Sequence, residues 1–402
     1  MKVLVIGGGG REHALCVALA RSPQVTQLFC APGNGGIAQV AECLPDLLVG
    51  DFDRLADFAT EASIDLTVVG PEAPLVNGIV DYFRERGLRI FGPDRAGAQL
   101  EGSKVFAKRL MARHNVPTAA YVRFGDYDEA HAHLQQLEFF PIVLKADGLA
   151  AGKGVVICTG REEALAALKD MMQDKSFGDA GATVVIEEFL RGQEASVHAI
   201  TDGRTLMVLP TAQDHKAIGE GDTGPNTGGM GAYSPAPVVE GRMLDRIVRD
   251  VLVPVLDGLR KEGIEYRGVI YAGLMITKGG PRVIEFNARF GDPEAEVMFP
   301  RLKNDLFEIL YTAADGKLSD ELVPEFDERP CMGVIMASGG YPGPYTTGKP
   351  ISGLETADAL EDVAVFHAGT RKRSDGGTST AGGRVLCVSA LGKDLQEARD
   401  RA

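Results

Sequence analysis

Positive charge is scarce in this chain. Its 402 residues carry 42 Lys and Arg against 56 Asp and Glu, a formal net charge of −14. A nucleic-acid partner needs a basic surface to neutralise phosphates, so that class is excluded. Small anionic substrates stay open wherever Lys and Arg are placed locally. Cysteines are few and unpaired in sequence: Cys16, Cys30, Cys43, Cys158, Cys331 and Cys387 contain no CxxC, and most sit in apolar runs such as VLCVSA. They read as buried thiols of a reducing compartment. The seven histidines show no zinc-ligand spacing. No apolar run approaches the roughly 18 residues of a membrane span. The start, MKVLVIGGGG, is too short and wrongly flanked for a signal peptide. A cytoplasmic chain with no membrane partner is expected.

Glycine is in excess. There are 50, about 12% against a usual share of about 7%. They gather in short runs between apolar segments, where phosphate-cradling loops lie, and no solenoid period is present. At roughly 100–200 residues per domain the length predicts two to four domains. Residues 2–6 (KVLVI) form an apolar run ending in glycines, a strand buried on both faces. Further strand-like runs at 27–31, 66–70 and 89–91 alternate with helical stretches at 12–21, 52–62 and 76–86, which predicts a parallel α/β domain over 1–102. Ser103 is placed to cap a helix to about His114. PIVLKADGLAAGKGVVICT reads as strand, glycine loop, strand, a hairpin-like lid within a small α+β unit at 119–188. A helix at 162–173 and strands at 183–189, 195–201, 205–210, 268–277 and 282–289 follow, and acidic, proline-containing sequence near 320–330 marks a boundary. Domains at 1–102, 103–327 and 328–402 are therefore expected, the last with strands at 331–338, 363–367 and 384–390.

Several motifs carry chemistry. GGGGREH (residues 7–13) follows a strand and opens a helix, whose N–H groups and dipole favour an anion. The match to a dinucleotide fingerprint is poor, since Glu12 stands where the third glycine belongs and the next strand ends in Ala-Pro-Gly with no ribose-binding acid. A phosphate site, a plain tight turn and a NAD site are the three readings. Glu72, in the loop after a strand, is equally a sugar-hydroxyl acceptor or a solvated side chain. Lys145 on a strand and Lys153 among glycines suit a lid over a triphosphate or, more plainly, a hairpin with surface lysines; this is not a Walker loop. In IEEFLRGQEAS the strand ends in carboxylates, and Glu194 could meet ribose hydroxyls, although acidic strand ends are common.

RVIEFNARFGDPE (282–294) is the most informative stretch. Period 2 puts Val283, Glu285, Asn287 and Arg289 on one face, spaced about 6–7 Å, with Ile284, Phe286 and Ala288 toward the core. Glu and Asn oxygens are hard ligands suited to Mg²⁺, and Arg289 beside them suits a phosphoryl or carboxylate group. The plain alternative is a solvated edge strand. Residues 212–235, almost without apolar side chains, read as a long functional or disordered loop that Asp214, His215 and Lys216 begin; His215 alone is as well read as structural.

In this order the strings GGGGREH, GSK-F-K (102–108), KADGLAAGKGV, EEFLRGQEAS, QDHKAIGEGDTGPNTGGMGAYSP and FNARFGDPE resemble the glycinamide ribonucleotide synthetases of the ATP-grasp superfamily, over residues 1 to about 390. The resemblance implies a parallel α/β N-terminal domain, an ATP-grasp domain with a mobile lid and a small C-terminal domain. It implies a ligase that joins glycine to 5-phosphoribosylamine through glycyl phosphate, with ATP as co-substrate and Mg²⁺ or Mn²⁺. Lys104 and Lys145 would contact ATP phosphates under the lid, with Gly152 and Lys153 in it. Glu187, Phe189, Leu190 and Glu194 would hold adenine and ribose, and Glu285 and Asn287 the metal. Asp214, His215, Lys216, Arg289, Asp292 and Glu294 would surround glycine and the transferred groups, with Arg289, Asp214 and Lys145 catalytic. Gly9, Gly10, Arg11, Glu12, His13 and Glu72 would hold phosphoribosylamine. A monomer or weak homodimer is expected. The family usually continues with a C-terminal helix and basic tail, so a helix begun at Asp394 is expected to be cut short at Ala402. Competing readings are another ATP-grasp carboxylate–amine ligase, a nucleotide-binding regulatory module and a NAD oxidoreductase.

Overall fold

The first strand behaves as its composition dictates: Val3, Leu4, Val5 and Ile6 are fully buried. The structure, a computed structural model, describes residues 1–149, 154–174, 178–319 and 321–402. Lys2–Gly7 (β1), Gln27–Pro32 (β2), Glu42–Cys43 (β3), Leu66–Val69 (β4) and Ile90–Phe91 (β5) form one parallel sheet, ordered β3-β2-β1-β4-β5. Helix Gly10–Ala20 (α1) packs on Val3 and Val5. Helices Phe52–Glu61 (α2) and Ile79–Glu85 (α4) pack on Leu4 and Ile6. Glu72–Val76 (α3) is separate, because Gly78 at φ +91° interrupts the helical stretch expected at 76–86. Strand order reverses between β1 and β4, so the turns after them leave the carboxyl edge side by side, where open α/β sheets bind ligands.

Helices Arg95–Gly102 (α5) and Lys104–Arg113 (α6) lead onward; Ser103 Oγ caps α6 as expected, accepting from the Phe106 amide at 3.0 Å. Tyr121–Phe124 (β6), Ile142–Ala146 (β7), Val155–Cys158 (β8) and Val184–Glu188 (β9) form an antiparallel sheet ordered β6-β9-β7-β8, with Tyr127–Gln136 (α7) and Arg161–Met172 (α8) packed on it. β7 and β8 pair as the expected hairpin, Lys145 opposite Val155.

Gln193–Thr201 (β10), Leu206–Val208 (β11), Gly268–Thr277 (β16) and Gly280–Asn287 (β17) make a second antiparallel sheet, ordered β11-β10-β16-β17. Residues 212–235, expected as a long loop, carry four short strands instead: Gln213–Asp214 (β12), Ala217–Gly219 (β13), Thr223–Asn226 (β14) and Gly231–Ser234 (β15). β13 and β14 pair as a ribbon, and β12 and β15 join a sheet with the C-terminal strands. Backbone pairing needs no apolar side chains, so hydropathy gave no sign of it. The alternation expected in β17 holds from Glu285 to Arg289, with Phe286 and Ala288 buried and Glu285, Asn287 and Arg289 lining the cavity, but it fails at the two residues before. A bulge pairs Gly273 with Glu285 but Leu274 with Val283, leaving Ile284 over. Val283 therefore lies in the core with Phe286, and Ile284 turns into the cavity beside Glu285.

Helices Arg242–Ile247 (α9) and Val253–Lys261 (α10) back this sheet, and Ala295–Met298 (α11) and Leu306–Ala314 (α12) lead to the last part. There Cys331–Ala337 (β18), Val363–His367 (β20) and Arg384–Leu391 (β23) complete the sheet β12-β15-β18-β23-β20. Pro350–Ile351 (β19), Thr370–Lys372 (β21) and Thr378–Thr380 (β22) form a small sheet beside helix Leu354–Asp358 (α13); Leu395–Arg401 (α14) begins at Asp394, whose side chain caps it. One hydrophobic cluster joins the N-terminal sheet (Val3, Leu15), the central sheet (Ile200, Val269) and the C-terminal sheet (Cys331, Cys387). Among the described residues no helix is long and apolar enough to cross a membrane.

Candidate active site

The sheets of β6–β9 and β10–β17 face one another across a cavity of about 520 Å³. Side chains from all three sheet regions reach it: Arg11 and Glu72 from the N-terminal domain, Arg384 from β23. On the floor, Lys216 Nζ lies 3.4 Å from Glu285 Oε1 and 3.7 Å from Glu194 Oε2. The Lys216 ammonium, with help from Lys145 and Lys104 and against the cost of burial, holds the Glu285 carboxyl at about 2. Glu285 is thus a firm anion at neutral pH. Asn287 Oδ1, two residues on, accepts from Arg289 at 3.3 Å. Lys104 Nζ donates to Gly148 O at 2.9 Å, joining α6 to the hairpin loop. Lys145 Nζ donates to Ile284 O at 2.9 Å and pairs with Glu187 at 3.1 Å, so β7 is tied to β17 across the cavity.

Toward the N-terminal domain, Arg289 lies 3.0 Å from Glu101 and 3.5 Å from Glu72. Arg11 donates to Glu12 at 2.6 Å and Phe290 O at 3.3 Å. Burial opposes its charge, but Glu12, Asp292 and Glu72 outweigh that and raise its pKa. Asp214 is half-buried, and its Oδ1 is buried without a partner. Burial first, then Glu294, pushes its carboxyl well above the usual range. Gly229 explains how it is sheltered: at φ +113° it packs so close that a Cβ would meet Asp214 Oδ1 at 2.7 Å. Glu294 accepts from Ser196 Oγ at 2.9 Å and from the Tyr271 hydroxyl. Arg384 clamps the far side, 2.8 Å from Asp292 and donating to Gly228 O at 2.6 Å.

Most of the residues picked out from the sequence meet here: Arg11, Glu72, Lys104, Lys145, Glu187, Phe189, Leu190, Glu194, Asp214, Lys216, Glu285, Asn287, Arg289, Asp292 and Glu294 all line the cavity. Others do not. Glu12 folds back onto its own helix, accepting from the Gly9 amide at 2.6 Å, and fills the space over Gly70, where a Cβ would lie 2.1 Å from Glu12 Oε1. His13 Nδ1 accepts from the His367 amide at 2.7 Å, and burial, then His367, lowers its pKa to about 3. His215 packs its ring on Tyr233. Gly9 and Gly10 are not among the lining residues; Gly10 lies against Glu296, which would sit 2.3 Å from a Cβ there. Gly152 and Lys153 lie outside the described residues. Sequence reasoning missed Glu101, Lys108, Tyr271 and Arg384. Lys108 was within reach, since it follows Lys104 by four and so shares its helix face. Arg384 had no local signal.

Two antiparallel sheets gripping a cavity of lysines opposite a Glu–Asn pair, with a parallel α/β domain in front, define an ATP-grasp enzyme, a class that works with ATP and a divalent cation. A structural neighbour at the level of fold alone is the biotin carboxylase domain of the Hydrogenobacter thermophilus 2-oxoglutarate carboxylase in complex with MgADP, ADP and bicarbonate (TM-score 0.74, 17% identity, 100% of this chain and 88% of that one). Residues 1–101, 102–295 and 331–402 match the models of the N, ATP-grasp (A) and C domains of phosphoribosylglycinamide synthetase. The chain belongs to that family. It is 54% identical over 408 residues to the phosphoribosylamine–glycine ligase of Escherichia coli strain K12 (100% of this chain, 94% of that protein). It is 52% identical over 406 to the one from Pseudomonas aeruginosa (100% and 93%). The crystal structure of the Thermotoga maritima phosphoribosylamine–glycine ligase superposes with TM-score 0.84 at 32% identity (100% and 95%). The family resemblance and the fold expected from the sequence are both borne out.

Proposed function

We propose that this chain joins glycine to 5-phosphoribosylamine with ATP, through glycyl phosphate, giving glycinamide ribonucleotide, ADP and phosphate, a step of purine biosynthesis. The observation that carries this is the single cavity in which Lys104, Lys145, Glu285 and Asn287 lie beside Arg289, Asp214 and Arg11. Lys104 and Lys145 hold the ATP phosphates, and Gly152 and Lys153, outside the described residues, are assigned to the same ligand. Phe189, Leu190 and Glu194 hold adenine and ribose with Glu187, whose Oε1 is buried and lacks a donor. Glu285 and Asn287 supply the hard oxygens that suit Mg²⁺ or Mn²⁺, which takes few protein ligands and adds charge stabilisation at the phosphates.

The glycine carboxylate attacks the γ-phosphorus, ADP leaves, and the amine of phosphoribosylamine then attacks the acyl carbon and expels phosphate. Arg289 lies where a phosphoryl or carboxylate oxygen gains charge, and preorganised cations there supply most of the effect in phosphoryl transfer. Asp214, with its raised affinity for a proton, takes the proton the attacking amine loses. Lys216, Asp292 and Glu294 position glycine, and His215 supports that strand. Arg11, Glu72 and the main chain at Gly9 and Gly10 meet phosphoribosylamine, while Glu12 and His13 brace the loop from behind. The same proposal divides the chain at 1–102, 103–327 (lid 119–188) and 328–402 and makes it a cytoplasmic monomer or weak homodimer. ADP release should require glycine, phosphoribosylamine and a divalent ion together. Equal turnover with alanine in place of glycine, or with no amine, would return the chain to some other ATP-grasp carboxylate–amine ligase.

A further inference from the structure

Two buried lysines share one oxygen of Glu187. Lys108 Nζ and Lys145 Nζ each lie 3.1 Å from Glu187 Oε2, and all three side chains are at most 5% exposed. Lys108 Nζ has a second anchor, Thr118 Oγ1 at 2.8 Å, which in turn donates to Val283 O at 2.7 Å on β17. Glu187 Oε1 is buried with no partner, and the residue lines the cavity one position before the segment Glu188–Leu190 that lines it too. We infer that Lys108 is a positioning residue that fixes Glu187 so that its free oxygen selects a purine carrying a 6-amino group. The inference rests on the reading that ATP occupies this cavity.

The argument runs through hydrogen-bond capacity. A carboxylate is an acceptor only, and the second oxygen is left as a buried acceptor awaiting a donor. A 6-amino group supplies that donor. A 6-oxo purine would set a second acceptor against it, and a site built around a buried polar group rejects the partner that leaves it unpaired. One lysine would balance the charge of Glu187, but Lys145 is also claimed by the phosphates when ATP is bound. Lys108 then remains to keep Oε2 engaged and Oε1 aimed. Its tie through Thr118 to β17 makes that aim independent of the nucleotide.

The test is the ratio of kcat/KM for ATP to that for ITP, measured in the full-length enzyme and its variants. For Lys108→Met the ratio should fall about tenfold or more, the scale of one mispaired buried hydrogen bond, mainly through KM for ATP. Lys108→Arg, which keeps a cation in reach of Glu187, should restore most of it. Equal losses for both nucleotides, with the ratio unchanged, would mean Lys108 is merely structural and would overturn the inference. If Lys108→Met does not fold, Thr118→Val removes the second anchor and is read by the same ratio and the same outcomes. Glu187→Gln separates the two levels of the claim. A raised KM for ATP in that variant, beside an unchanged ratio in the Lys108 variants, sinks the role of Lys108 alone. An unchanged KM for ATP in Glu187→Gln sinks the placement of ATP itself, and the inference with it.

Discussion

The chain's glycine-rich N-terminal turn and the cavity under the β7–β8 hairpin differ in what fills them. At the N-terminal turn, protein carboxylates reach part of the helix end: Glu12 accepts from the Gly9 amide at 2.6 Å, and Glu296, both of whose oxygens are buried without a partner, lies against Gly10. The glycines at 7 and 70 admit Glu12, since a Cβ would come within 2.5 and 2.1 Å of its side chain. In the cavity under the β7–β8 hairpin, by contrast, the carboxylates face lysines, Lys145 and Lys108 on Glu187 and Lys216 on Glu285, while Glu187 Oε1 and Asp214 Oδ1 are buried without a partner. A glycine turn before a helix is therefore a weak sign of a nucleotide by itself. Buried lysines beside an unmet acceptor are the stronger one, because they offer charge to phosphates and the acceptor costs free energy until a ligand arrives.

The largest expected effect lies on the cavity side. Glu285→Ala or Asn287→Ala should lower kcat by about 10²–10³-fold, the scale of losing one preorganised electrostatic group. Both side chains are only partly buried and contribute nothing to the core, so the thermal midpoint should hold. Near wild-type rates in both variants would place the cation elsewhere.

A smaller effect separates bracing from binding at the N-terminal turn. His13 titrates at about 3 in the folded chain because burial disfavours its charge, against an ordinary value near 6.5. The unfolded chain takes up the proton first as pH falls. Stability from this group is therefore complete above about pH 6.5 and drains away toward pH 3, costing about 2 kcal/mol by pH 5. His13→Asn, which keeps an acceptor for the His367 amide and cannot titrate, should show a correspondingly shallower loss of stability in denaturant titrations at pH 7.5 and 5. If its pH dependence matches wild type while KM for the amine rises strongly, His13 binds substrate directly.

Much of this was legible because local signals and the fold agreed. The apolar run of β1, the Ser103 cap and the β7–β8 hairpin stand where pattern and capping chemistry put them. Lys145, Glu285 and Arg289 converge because each sits near a strand end facing one cavity. The failures have physical causes. The bulge at Ile284 exchanged the expected faces of Val283 and Ile284 alone, because the extra residue absorbs the slip before Glu285. The strands within 212–235 are held by backbone pairing that side-chain hydropathy does not report. Sequence order also does not reveal that Glu12 packs against Gly70 and that His13 accepts from the His367 amide. Arg384 arrives from a strand about 90 residues further along the chain than the Asp292 it pairs with, a distance no local motif spans.

The central claim is that phosphoribosylamine meets the N-terminal turn while ATP lies in the cavity between the antiparallel sheets. Gly9→Val tests it most directly. A side chain there would meet Glu12 Oε2 at 2.9 Å and Asp292 Oδ2 at 3.4 Å, disturbing the turn without reaching Lys104, Lys145 or Glu187. The measurement is KM for phosphoribosylamine beside calorimetric binding of an ATP analogue in the absence of amine. The amine KM should rise about tenfold or more, while nucleotide affinity stays within about threefold, under about 1 kcal/mol. Lost nucleotide affinity with an unchanged amine KM would contradict the account and return the N-terminal turn to the nucleotide.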